Sequence, residues 1–209
     1  MTDAPPRRYR GASAEQRQQE RRERLLDAGL TVFGEAGYHA ATVRGICQVA
    51  GLTERYFYES FANSEDLLCA VYERVLATQR ERMLAAIAGA APRQDAMIRA
   101  GLKAFLAYIQ ECPAAARVQF VEVLGVSTRV DQLYRQAIES FAQLMRSLGT
   151  QPDAATPNID IETLSVGLVG AMVGMGSRWM LSGFAQPLDD IVATSEIIFA
   201  GVSRQLQTG

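Results

Sequence analysis

The chain is poor in the side chains that carry chemistry near neutral pH. Its 209 residues include one histidine, His39, and three scattered cysteines, Cys47, Cys69 and Cys112. A single imidazole, placed in a turn, argues against a Ser-His-Asp arrangement or a histidine-ligated metal. Three thiols are too few for a disulfide scaffold or a thiolate metal site, and they fit a reduced cytosol. None has a cationic neighbour in sequence that would activate it as a redox switch, so they read as small apolar groups in a core. There is no G-x-S-x-G and no glycine-rich phosphate loop ending in Lys. The expectation is a protein that is not an enzyme and needs no metal and no cofactor.

Excess charge of one sign is also missing. The net charge is -2 and the pI is about 5.6. That balance falls short of the basic domain many nucleic-acid binders show, so any such signal has to be local. Long apolar runs are scarce as well. The N-terminus is polar and Arg-rich with no apolar segment behind it, unlike a secretory signal. The charge-free run "TLSVGLVGAMVGMGS", residues 163–177, is shorter than the ~20 residues needed to cross a bilayer and reads as a buried helix. A cytoplasmic protein without a membrane partner is expected.

What the chain does have is helix punctuation along most of its length. "SAEQRQQERRERLLDAGLTVFGEAG" opens with a capping box, Ser13 to Gln16, carries the stripe Leu26, Leu30 and Phe33, and stops at Gly37. Thr42 caps "VRGICQVA", which ends at Gly51. After "GLT" comes "ERYFYESF", with Thr53 as its cap. Asn63 or Ser64 then starts a long helix whose Glu65 and Asp66 complement the dipole. Pro92 and Pro113 punctuate two further helices, and Ser127 caps another that runs to Gly149. "TQPDAATPN", residues 150–158, is a flexible connection. Two last helices cover roughly 159–183 and 188–207. The total is about nine helices with no convincing strand, no repeat period and no low-complexity tract: an all-α fold.

Four aromatic rings crowd the short "ERYFYESF" helix. At ~100° per residue Phe57 and Phe61 share one face, Arg55 and Glu59 take the opposite one, and Tyr56 and Tyr58 lie on the flanks. A long helix followed by two short ones joined through a glycine turn is the layout of a helix-turn-helix, whose second short helix enters a DNA major groove. Phe57 and Phe61 are then expected to lock that helix onto Leu30, Phe33, Val43, Ile46 and Val49. The opposite face is left to meet base edges.

Residues 22–71, "RERLLDAGLTVFGEAGYHAATVRGICQVAGLTERYFYESFANSEDLLCAV", resemble the N-terminal DNA-binding domain of the TetR family of bacterial transcriptional regulators. The resemblance lies in the "A..VF.E.GY.A.TV..I...AGL" run, the "YFYESF" ending and the acidic-apolar start of the fourth helix. It implies a basic disordered arm at 1–12, a helix-turn-helix domain at 13–64 and a helical ligand-binding and dimerisation domain at 65–209. It also implies that Thr42, Arg44, Thr53, Glu54, Arg55, Tyr56 and Tyr58 fall on the DNA-contacting turn and helices. Chemistry suggests roles for some of them: Arg55 to guanine O6 and N7, Glu59 to a cytosine amino group, Tyr56 and Tyr58 to phosphates. Many family members carry a Lys where this chain has Ser64. A hydroxyl and the helix-terminal amides still hold a phosphate there, without the point charge. Residues 5–25 hold seven arginines against three glutamates, net +4, and serve either to track phosphates or, at Arg7, Arg8 and Arg10, as a solubilising tail.

Helix-turn-helix modules bind as symmetric dimers, and the last two helices are the natural homodimer interface. Gly167, Gly170 and Gly174 would let a second backbone approach, unless that packing is internal. Phe105, Tyr108, Phe120, Tyr134, Phe141, Met172, Met175 and Trp179, with Glu122 and Arg178 as polar anchors, line either a ligand pocket or plain core. The family resemblance implies a repressor released from a palindromic, double-stranded operator by a small, mostly apolar effector. The alternative is a DNA-binding regulator without a small-molecule effector, which needs a solid core where the first needs a cavity.

Overall fold

In the computed structural model, which describes residues 13–148 and 159–207, nine α-helices and no strand are found among the described residues. The arm at 1–12 and the connection at 150–158 lie outside the described residues. The helices are α1 (Ala14–Glu35), α2 (Val43–Ala50), α3 (Glu54–Tyr58), α4 (Ser64–Ala88), α5 (Gln94–Glu111), α6 (Pro113–Arg117), α7 (Thr128–Leu148), α8 (Ile161–Leu181) and α9 (Leu188–Gln207).

The local chemistry that starts and stops them follows the sequence signals. The Ser13 hydroxyl accepts from the Gln16 amide at 3.1 Å while the Gln16 side chain accepts from the Ser13 amide at 2.7 Å, closing the capping box. Thr42 accepts from the Gly45 amide at 3.1 Å, Asn63 from the Asp66 amide at 2.9 Å and Ser127 from the Val130 amide at 3.2 Å. Asn63 is therefore the cap of α4, and Ser64 is its first helical residue. Thr53 occupies the cap position of α3 but makes no side-chain capping bond. The expected cap there is a backbone turn instead, with the Tyr56 amide donating to the Thr53 carbonyl at 3.0 Å.

Two hydrophobic clusters organise the helices. The first joins Leu25, Leu26 and Phe33 of α1, Ile46 of α2, Phe57, Phe61 and the first half of α4, and it continues into Ala115, Val118, Val123 and Val130. The second holds Met83 of α4, Leu102, Phe105 and Leu106 of α5, Phe120, Met172, Trp179 and the buried face of α9. Helix α4 contributes to both, so it is the mechanical link between the two halves. A second link is the approach of α1 to α6. A methyl group added at Gly34 would come within 2.4 Å of the Ala114 side chain, so only glycine fits there.

Two elements differ from the sequence reading. The helix expected after Pro113 is regular only as far as Arg117, and residues Val118–Glu122 form a π-helical turn. Such turns insert one extra residue and re-aim the side chains around them. Helix α8 is longer than its charge-free run, at 21 residues, and passes a length-and-hydropathy test for a membrane span. It is not buried all round. Ser165, Val169, Met172, Gly176 and Trp179 face the protein, whereas Val166, Gly167, Gly170 and Gly174 are exposed.

Candidate nucleic-acid interface and ligand cavity

Helix α3 is too short to hold itself in place, so its position is a packing result. Phe57 is fully buried and Phe61 nearly so, with ring centroids 5.9 Å apart. Helix α3 ends at Tyr58, yet the Phe61 amide still donates to the Phe57 carbonyl at 2.8 Å, which keeps the two rings on one side. The rings meet Leu30, Phe33, Val43 and Ile46 as expected. Val49 departs from the expectation: it is 56% exposed, because it lies off the face of α2 that buries Ile46, Cys47 and Ala50.

Three arginines counted by sequence in the basic stretch 5–25 lie on α1, as its capping box requires, and clamp the two short helices. The Arg24 guanidinium donates to the Ala50 carbonyl at 2.6 Å and to the Gly51 carbonyl at 3.2 Å, satisfying the orphan acceptors at the end of α2. Arg22 donates to the Ser60 carbonyl at 3.0 Å and lies 4.3 Å from the centre of the Phe61 ring. Arg21 stacks 4.4 Å over Tyr56 and stands 3.7 Å from Glu59. Sequence spacing alone does not reveal this use. The signal was that 21, 22 and 24 sit inside a capped helix, not ahead of it.

With its inner face fixed, α3 presents Thr53, Glu54, Arg55 and Tyr58 outward, and α2 presents Thr42, Arg44, Gln48 and Val49 beside them. Arg55 is 84% exposed at its side chain, and Tyr58 is 58% exposed. Arg55 donates to Glu59 at 3.0 Å, so Glu59 is engaged as the orienting partner of Arg55 and also faces Arg21. Tyr56 is half-buried under Arg21, and Ser64 is half-buried at the start of α4. Val49, exposed on α2, is a surface residue that the sequence reading had placed in the core. An apolar side chain there has the chemistry to touch a thymine methyl.

The ten residues proposed as a pocket do not form one lining. Phe105, Phe120, Tyr134, Phe141 and Met172 border a small void of about 40 Å³. Tyr108 is core, with Arg82 stacked 5.0 Å over its ring. Trp179 is core as well; its indole N–H donates to the Gln186 carbonyl at 2.9 Å. Arg178 is exposed, and Met175 takes a contact from the Ser195 hydroxyl at 3.7 Å. Glu122 is not a pocket anchor. It accepts from the Tyr38 amide at 2.7 Å and pairs with Arg117 at 2.9 Å, at the joint between the helix-turn-helix and α6. The reason is the π-helical turn, which points Phe120 inward and Glu122 toward α1.

A larger cavity, about 210 Å³, lies between α4, α5, α7, α8 and α9. Its wall is aliphatic and thioether-rich, with Met83, Met97, Phe141, Met145, Leu168 and Phe199 prominent, and it shares Met83, Leu102, Phe141 and Met145 with the smaller void. Of the pocket residues that the sequence suggested, Phe141 alone lines it. The signal available was the alternation of Met, Ile and Leu on the inner faces of α5 and α8.

On α8, Gly167, Gly170 and Gly174 face open space, with nothing within 4 Å of an added methyl. Gly176, by contrast, is packed inside the protomer against Ile109 at 2.9 Å. Ile197 (70% exposed) and Ile198 on α9 are also uncovered. Cys47 and Cys69 are buried, and burial pushes both thiols above their usual range, which disfavours the reactive thiolate.

Residues 25–71 match the model of the bacterial regulatory proteins of the tetR family. Over its length the chain is 28% identical, across 179 residues, to the HTH-type transcriptional regulator BetI of Rhizobium meliloti, covering 84% of this chain and 86% of that one. It is 25% identical, across 187 residues, to the HTH-type transcriptional activator FasR of Mycolicibacterium smegmatis, with coverage of 88% and 84%. Among solved structures the fold is shared with the transcriptional regulator FadR from Bacillus subtilis in complex with stearoyl-CoA. The TM-score is 0.74 at 17% identity, over 84% of this chain and 96% of that one.

Proposed function

Because the chain belongs to the TetR family of bacterial regulatory proteins, we propose that it is a cytoplasmic, dimeric repressor that leaves a palindromic operator when a small, mostly apolar effector binds. In this reading residues 13–64 contact DNA and residues 65–209 hold the effector and the partner subunit. The observation that carries it is an apolar cavity of about 210 Å³ joined, through α4 and the α1–α6 contact, to a helix whose polar face is open. Arg55 reads a guanine while Glu59 orients its guanidinium; Thr42, Arg44, Thr53, Glu54, Tyr56, Tyr58 and Ser64 set the register through phosphates and groove edges. The open glycine face of α8, together with Ile197 and Ile198 of α9, is the surface on which two copies close.

Repression follows from occupancy. The effector favours a spacing of the two recognition helices that fits successive major grooves less well, and the operator is released. A solid core would have favoured a regulator without an effector, and the cavity argues against that. Since the FasR relative is named an activator, the sign is read with a reporter placed behind the operator. The operator itself comes from selecting genomic fragments bound by the purified chain, with and without a panel of apolar metabolites. A two-fold symmetric site lost on adding one compound supports this function. Binding to no duplex, or a half-site bound by single subunits, overturns it.

A further inference from the structure

The wall of the 210 Å³ cavity includes one side chain with a donor that has no hydrogen-bond partner. Arg146 of α7 lines the wall; its Nη2 donates to Glu139 at 2.8 Å, but its Nη1 is buried with no hydrogen-bond partner. The other hydroxyls on the wall are already engaged, Ser165 donating to the Ile161 carbonyl at 2.6 Å and Ser203 to the Gln94 side chain at 3.1 Å. A buried, charged donor without an acceptor carries a desolvation penalty that a bound oxygen would remove. Glu139, which also accepts from Gln143 at 3.3 Å, holds the guanidinium through Nη2 and leaves Nη1 for another acceptor.

Size narrows the guest. A dry cavity near 150 Å³ takes one benzene, so 210 Å³ with a further 40 Å³ behind the shared walls suits a flexible chain of roughly eight to ten carbons. The methionines Met83, Met97 and Met145 can mould to such a chain at little cost. Resting on the effector reading above, we propose that the ligand is a medium-length acyl chain whose head oxygen, a carboxylate or a thioester carbonyl, accepts from Arg146 Nη1. Arg146 is then the specificity-determining residue, and an apolar molecule of the same size without an acceptor binds less well because it leaves that donor unpaired.

The test is calorimetric titration of the full chain with decanoic acid, decanoyl-CoA, decane and stearic acid, followed by operator binding with each. Decanoic acid or decanoyl-CoA should bind at least about ten-fold more tightly than decane, and which of the two binds identifies the source of the acyl group. Arg146→Met should remove that preference. The Glu139→Gln/Arg146→Met double variant repeats the measurement without an orphaned carboxylate. Equal affinity for decane and decanoic acid, stearic acid binding more tightly than decanoic acid, or an unchanged preference in both variants overturns the proposal. Tight binding of decanoic acid that leaves the operator occupied supports the acyl site and sinks the effector reading. Release of the operator by an apolar compound while neither decanoyl ligand binds does the reverse.

Discussion

Glu122 reaches across from the π-helical turn to accept the Tyr38 backbone amide at 2.7 Å, and this single carboxylate joins the helix-turn-helix to the segment that also carries Phe120 into the interior. Tyr38 follows Gly37, whose φ of 88° aims the amide at the carboxylate. The turn is thus tied to the helix-turn-helix by a hydrogen bond and by the tight Gly34–Ala114 contact.

Glu122→Ala leaves the part-buried Tyr38 amide without its acceptor and the exposed Arg117 without its partner. A loss of ~1–3 kcal/mol is expected in chemical denaturation at fixed protein concentration. Glu122→Gln keeps an acceptor for the amide and should retain most of that stability. If the two variants lose the same amount, the charge on Glu122 matters and the amide bond does not.

Arg55→Ala removes an exposed cation that no core contact depends on, so the fold should melt unchanged. Affinity for the cognate operator should fall by ~1–3 kcal/mol, with little change on unrelated duplex. Competition binding on both DNAs separates the cases; parallel losses would reassign Arg55 to phosphate.

Gly170→Leu introduces a side chain where no atom of the same protomer lies within 4 Å. The protomer should fold with its helix content intact. Sedimentation should then show monomers, and operator binding should drop with dimerisation. A stable dimer would place the interface elsewhere.

Asp66 receives hydrogen bonds from Arg129 and from the Ala62 amide, and the Arg129 contact chiefly holds its carboxyl below the ordinary value of 3.8. A folded-state pKa below the unfolded one contributes stability that is present above about 3.8 and lost as pH falls through the folded value. Asp66→Asn should therefore flatten the acid limb of a stability–pH profile measured from pH 5 to pH 2. Stability near neutrality should also drop, because α4 loses a first-turn anion. A variant whose acid limb is as steep as the parent's would remove Asp66 from the acid response.

The helix-turn-helix was readable from local pattern because its signals are short-range. Caps such as Ser13, Thr42 and Asn63 act within three residues, and the Phe57–Phe61 spacing acts within one turn. The cavity was not readable. Its wall draws on five helices, and whether Met97 or Phe105 faces a void depends on how those helices cross. Glu122 was misplaced for the same kind of reason: the π-helical turn shifts the register by one residue, and no composition signal marks it. Val49 was misassigned because its apolar character was weighed above its helical angle, which lies off the face that Ile46, Cys47 and Ala50 bury.

By itself, then, the order of residues determined the all-helical architecture, the position of the reading helix and the orientation of Arg55 away from Phe57, because each follows from periodicity and capping over a few residues. Only the tertiary structure decided that Arg21, Arg22 and Arg24 clamp the short helices, that the cavity lies against Arg146, and that Gly167, Gly170 and Gly174 of α8 are uncovered while Gly176 is packed. These outcomes depend on which distant surfaces meet, and packing complementarity between helices is not encoded in any single stretch of chain.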